Sequence, residues 1–125
     1  MFFLFYCLQN LRISHMQQIT DFDVLQQMKL NGPVFILFGG THCAVCQSLL
    51  PQLTTMLEQQ FPDMTGVYVD CEKSPEICAQ HSVFTLPVVK AYIEGMKIAE
   101  VGRSFSIKQL AQSIERPYKM WKTQR

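Results

Sequence analysis

The apolar positions of the chain change period from one stretch to the next, and each change predicts an element. Gln17-Gln18-Ile19 reads as a short strand. Phe22, Leu25 and Met28 then recur at helical spacing, with Thr20 or Asp21 available as a cap and Asn31-Gly32-Pro33 as the stop. Val34-Phe35-Ile36-Leu37-Phe38 is an unbroken apolar run of β-formers, the pattern of a strand covered on both faces in a parallel sheet. Gly39-Gly40 opens a turn. From Cys43 to about Gln60, residues Leu49, Leu50, Leu53, Met56 and Leu57 follow a helical period, and Pro51 should remove one backbone bond and kink that helix.

A strand is predicted over residues 66–70, and Ser74-Pro75-Glu76 has the cap-then-proline order that starts a short helix ending near His81. Residues 87–93 and 97–101 are separated by Glu94-Gly95-Met96, which suggests a hairpin. Ile107, Leu110, Ala111 and Ile114 then form the apolar stripe of a last helix that Pro117 should close. The order βαβαβα, then a hairpin and a helix, places the chain in the α/β class. The architecture it implies is a central mixed sheet of four to five strands, with parallel crossovers and one antiparallel hairpin, under helices on both faces.

Size agrees: 125 residues, 48% of them hydrophobic, supply one core and not two, so a single domain over residues 16–125 is expected. A formal charge of +1 gives no field to attract nucleic acid or an anionic membrane, and neither is expected as a partner. Residues 1–15 are read as an N-terminal extension, with Met16 an alternative start. The apolar opening, Met1 to Leu8, lacks a basic leading region and stops far short of the roughly 20 residues a bilayer span needs. The five cysteines, Cys7, Cys43, Cys46, Cys71 and Cys78, are odd in number and not spaced like a secreted disulfide scaffold, which points to a reduced, cytoplasmic setting.

The chemistry centres on Cys43-Ala44-Val45-Cys46. Two cysteines at i and i+3 on a helix share a face and reach disulfide distance. In the first turn, unpaired backbone N–H groups and the positive end of the helix dipole favour a thiolate. The sulfur nearest the end, Cys43, should therefore ionise below the about 8.5 of free cysteine. Cys43 would attack a partner disulfide, and Cys46, one turn deeper, would attack Cys43 and release the reduced partner. A metal site uses the same spacing, but a Cys-x-x-Cys pair directly after a buried strand and opening a helix is the stronger redox signal.

With these landmarks in order, the chain resembles the thioredoxin family from about Met16 to about Ile114. The resemblance rests on Cys43-Ala44-Val45-Cys46 after Phe35-Ile36-Leu37-Phe38, on Pro51 at the helix kink, and on Leu86-Pro87, Gly95 and Gly102. It implies a thioredoxin-like fold and a protein disulfide oxidoreductase with no bound cofactor and no metal. It further implies disulfide-containing protein substrates, with a reductase or low-molecular-weight thiol as electron donor. Pro87 would be a cis proline facing the cysteines, and the backbone of Leu86 would contact substrate. The departures from the family pattern are informative. His42 replaces the usual tryptophan before the first cysteine, and Ala44-Val45 replaces Gly-Pro between the two. The family's buried aspartate falls at Leu37 and its accompanying lysine near Gly66. Val88 replaces the threonine usual after the cis proline, and two extra residues lie between Asp70 and Pro75.

His42 can stabilise the Cys43 thiolate or carry a proton to it, since imidazole titrates near neutral pH; the alternative is an exposed turn residue. Cys78 and His81 together with Cys43 and Cys46 would supply four zinc ligands by spacing alone, but the short helix that carries Cys78 belongs to another crossover. Cys71 and Cys78 are expected as small buried residues, with a second, regulatory redox pair as the alternative. The seven methionines are scattered and read as core filler. Tyr118 and Trp121, beyond the last helix, are expected to pack back onto the domain. The alternative function is a non-catalytic binding module that uses the groove around Leu86 and Pro87, which the apolar residue at Leu37 keeps open.

Overall fold

The computed structural model describes residues 16–124. Its elements are β1 (Gln17–Gln18), α1 (Phe22–Leu30), β2 (Pro33–Gly39), α2 (Ala44–Gln60), β3 (Thr65–Asp70), α3 (Pro75–Gln80), β4 (Val88–Ile93), β5 (Met96–Gly102) and α4 (Ile107–Thr123). The predicted extension, residues 1–15, lies outside the described residues. β2 is buried at all seven of its positions, which is why its sequence does not alternate. It is the central strand of a five-stranded sheet ordered β1-β3-β2-β4-β5. β1, β3 and β2 run parallel; β4 and β5 form the expected hairpin, and β4 also lies antiparallel to β2.

The pleat of β2 divides the core. Phe35 and Leu37 face a layer formed by Leu53 and Leu57 of α2 and Leu110 and Ile114 of α4. Val34, Ile36 and Phe38 face the other way, against Leu25 of α1 and Ile77 and Cys78 of α3. Local chemistry starts most of the elements. Asp21 caps α1 by accepting the Val24 N–H at 3.0 Å, and Ser106 caps α4 by accepting the Gln109 N–H at 3.2 Å. Ser74 stands at the N-cap of α3 without a side-chain cap bond, and there Pro75 sets the first turn instead. The β4–β5 turn is two residues long, Glu94 and Gly95 at φ 50° and 85°, the left-handed pair that matches strand twist.

α4 differs from expectation: it continues through Pro117 to Thr123. An interior proline costs about 3 kcal/mol. The turns beyond it bury Tyr118, whose ring meets Phe61 edge to face at 5.1 Å and whose hydroxyl accepts the Asp63 N–H at 3.0 Å. Burial of such a side chain contributes about 2 kcal/mol and the aromatic pair about 1 kcal/mol more, which offsets the proline. Trp121 follows against the same cluster, so both aromatics pack onto the domain as the sequence suggests.

Candidate redox site

The site is built where β2 ends. The backbone leaves Gly39, turns through Gly40, Thr41 and His42, and enters α2 at Cys43. Cys43 is the N-cap, with φ −95° and ψ 101°, and its Sγ accepts the Cys46 N–H at 3.3 Å. The leading cysteine thus stands one residue ahead of the first helical turn, at the positive end of the dipole. Cys43 and Cys46 are joined as a disulfide, with Cα atoms 5.2 Å apart. Cys46 is fully buried and Cys43 partly exposed. Gly39 makes room for the inner sulfur: a Cβ there would lie 2.9 Å from the Cys46 Cβ and 3.2 Å from its Sγ. Leu37, the family's acid position, is completely buried among apolar residues.

The register of β4 brings a second segment to the same end of the sheet. Val88 pairs with Phe38, so the residues just before β4, Leu86 and Pro87, lie beside the strand end from which Cys43 departs. The Leu86–Pro87 bond is cis, Pro87 is buried and Leu86 half-buried. The Pro87 carbonyl accepts the Arg103 N–H at 2.8 Å, which ties this segment to the end of β5.

A third segment, the loop after β3, grips the turn ahead of Cys43. Buried Asp70 accepts the Thr41 hydroxyl at 2.6 Å and the N–H groups of Glu72 and Lys73 at 2.9 and 3.3 Å. Burial alone would raise its carboxyl; these hydrogen bonds outweigh that and hold it below the ordinary value. The Cys71 N–H donates to the Gly39 carbonyl at 2.8 Å. Glu72 accepts twice from His42, from the backbone N–H at 2.8 Å and from Nδ1 at 2.6 Å. That hydrogen bond, and then the carboxylate's charge, raise the imidazole above its usual range; the bonds from His42, backbone first, hold the Glu72 carboxyl down. His42 is therefore an exposed residue with a fixed partner. Glu72 is the site residue that sequence reasoning missed, and the one trace of it was the extended loop between Asp70 and Pro75.

Cys71 and Cys78 correct an expectation. Cys78 is packed in the core as predicted, but Cys71 is only half-buried, and the two are joined by a second disulfide with Cα atoms 5.7 Å apart. The chain turns into α3 on the Asp70 carbonyl, which accepts the Lys73 and Ser74 N–H groups, and this turn brings Cys71 alongside Cys78. The four residues considered as zinc ligands are not brought together. The sulfur of Cys78 is bonded to Cys71. His81 donates from Nδ1 to the Ile77 carbonyl at 2.8 Å and accepts at Nε2 from the Lys29 ammonium at 3.0 Å. Among the described residues no group of three or more His, Cys, Asp or Glu could hold a metal ion. Burial pushes both the His81 imidazole and the Lys90 ammonium, which donates to the His81 carbonyl, below their ordinary values.

A cysteine disulfide at the tip of a helix, beside a cis proline on a mixed five-stranded sheet, defines a thiol–disulfide oxidoreductase of the thioredoxin-like fold. Comparison with known proteins gives the family. The model of the thioredoxin family matches residues 15–116, and the chain belongs to that family. It is 32% identical to the thioredoxin-like protein YdfQ of Bacillus subtilis over 87 residues, 70% of this chain and 77% of that protein. It is 29% identical to mitochondrial thioredoxin-3 of Saccharomyces cerevisiae over 89 residues, 71% of this chain and 68% of that protein. Among solved structures, thioredoxin from Trypanosoma brucei brucei superposes with a TM-score of 0.76 at 16% identity, covering 86% of this chain and 94% of that one, a likeness of fold alone.

Proposed function

We propose that the protein exchanges dithiol and disulfide with protein substrates, Cys43 attacking and Cys46 resolving. The carrying observation is the asymmetry of the pair: Cys43 is partly exposed at the helix N-cap, and Cys46 is fully buried one turn inward. A partner's sulfur can reach only the first. Once a mixed disulfide forms, Cys46 sits in line to attack it, because the two Cα atoms already stand at disulfide spacing. His42, Leu86 and Pro87 form the substrate side of the site in this reading, the backbone at Leu86 contacting the substrate chain. A reductase or a small thiol supplies electrons, and the protein acts in the cytoplasm.

Reduction of insulin disulfides with dithiothreitol as electron source tests the reading. Activity is expected for the wild type and lost in Cys43→Ser. Cys46→Ser should accumulate a mixed disulfide that mass spectrometry maps to Cys43. An inactive wild type, or a mixed disulfide on Cys46, would refute it. Buried Leu37 favours a second reading, a binding module around Leu86 and Pro87, for which wild-type inactivity with retained partner binding would be the sign.

A further inference from the structure

Thiol–disulfide exchange moves protons as well as electrons, and the departing thiolate of an alkyl disulfide leaves faster when it is protonated. The acids beside this redox pair are few. Leu37 is apolar, Asp70 is already engaged by Thr41 and two backbone N–H groups, and the phenol of Tyr68, by the inner Cys46, is pushed up by burial and so is a poor acid. We propose that His42 and Glu72 are the proton-handling pair of the site, with His42 the acid that protonates the departing substrate thiolate and Glu72 the positioning residue that orients it. This rests on Cys43 being the attacking sulfur.

Cys43 and His42 are adjacent in the chain and Glu72 holds His42, the order of a nucleophile, an acid and an orienting group. A carboxylate can only accept, so Nδ1 of His42 carries the hydrogen shared with Glu72, and Nε2 remains for sulfur chemistry. Among the described residues Nε2 makes no other hydrogen bond. Glu72 grips both the backbone and the ring, so the imidazole is fixed relative to the helix tip. The carboxylate is itself anchored. Its N–H is held by Asp70, the preceding residue is bonded to both Gly39 and Cys78, and its Oε2 lies over Gly40, where a Cβ would come within 2.6 Å. The His42 side chain is 86% exposed and stands one residue before Cys43, open to an arriving substrate. The charged groups acting on it, Glu72 and then Asp70, are both acidic and favour the imidazolium.

The step balances. The Cys43 thiolate attacks one sulfur of a substrate disulfide, forming Cys43–S–S–R as the substrate S–S bond breaks. The departing thiolate takes the proton of the His42 imidazolium and leaves as a thiol. Cys46 then closes the Cys43–Cys46 bond, and its proton ends on the second substrate thiolate. Two protein thiols are oxidised and one substrate disulfide is reduced to two thiols.

Glu72→Gln keeps an acceptor for the His42 N–H and removes only the charge. With the reduced protein at pH 7.5, single-turnover oxidation by an alkyl disulfide (oxidised glutathione) should slow by about tenfold in Glu72→Gln, part of the ~10²–10⁴ that full acid catalysis supplies. Oxidation by a nitrobenzoate aryl disulfide, whose thiolate needs no proton to leave, should be nearly unchanged, and Glu72→Asp should recover part of the alkyl rate. The NMR titration midpoint of His42 should fall in Glu72→Gln. Equal slowing with both disulfides would make Glu72 a merely structural brace of the turn, and no slowing with either, or an unmoved His42 midpoint, would also overturn the proposal. In each of these cases the Cys43 reading stands; a wild type inert to both disulfides would remove that reading and this one with it.

Discussion

Gly39 and Gly40 are the two positions where one added carbon reaches the site directly, the first at the Cys46 sulfur and the second at the Glu72 carboxylate. Gly39→Ala should force the inner cysteine off its seat. Strand and helix are both packed at this point, so the overpacking should cost about 1–3 kcal/mol. Urea unfolding measures the cost, and a slower release of the mixed disulfide by Cys46 should accompany it; unchanged stability and release would show that α2 shifts freely. The cysteine pair was legible because its i, i+3 spacing is local and its place after a buried run is a pattern in the chain. Glu72 was not, because its partner His42 is 30 residues away and only the path of the loop after β3 brings them together.

At the scale of elements, local patterning located every strand and helix, and failed where tertiary contacts overrule a local signal. Pro117 reads as a stop by backbone chemistry, yet Tyr118 and Trp121 hold α4 helical beyond it. Tyr118→Ala should therefore cost about 3–5 kcal/mol, the range for truncating a large buried aromatic. The loss should appear first as faster amide exchange over residues 117–123 and then as a lower urea midpoint; an unchanged exchange pattern would mean that the last turns stand without their aromatic anchor. The Cys71–Cys78 bond was equally hidden, since a separation of seven residues fits packing or pairing until the loop's course is known. Alkylation of the unfolded, unreduced protein should leave Cys43, Cys46, Cys71 and Cys78 unlabelled, and reduction should open all four to label. Labelling of Cys71 or Cys78 before reduction would contradict the second link.

For the molecule as a whole, two histidines carry opposite proton linkages, one buried under the sheet and one in the exposed turn after β2. On the α1 and α3 face, His81 is buried, its ring tilted against that of Phe38, and set beside the Lys29 and Lys90 ammonium groups. Burial first, and those two cations after it, depress its folded pKa, so the unfolded chain takes up the proton first. Stability held by the neutral imidazole is therefore full above the unfolded value of about 6.5 and drains away as the pH falls below it. His42, raised by Glu72, works the other way: its contribution is present at low pH and lost as the pH climbs through its elevated value. That pair is open to solvent and screened, so the buried group sets the sign for the molecule. The urea midpoint should thus fall between pH 7.5 and 5.5, and His81→Gln, whatever its absolute stability, should flatten that fall. A wild type equally stable at both ends of the range would mean that the interior at His81 already accommodates the charge, and the depressed imidazole would have to be given up.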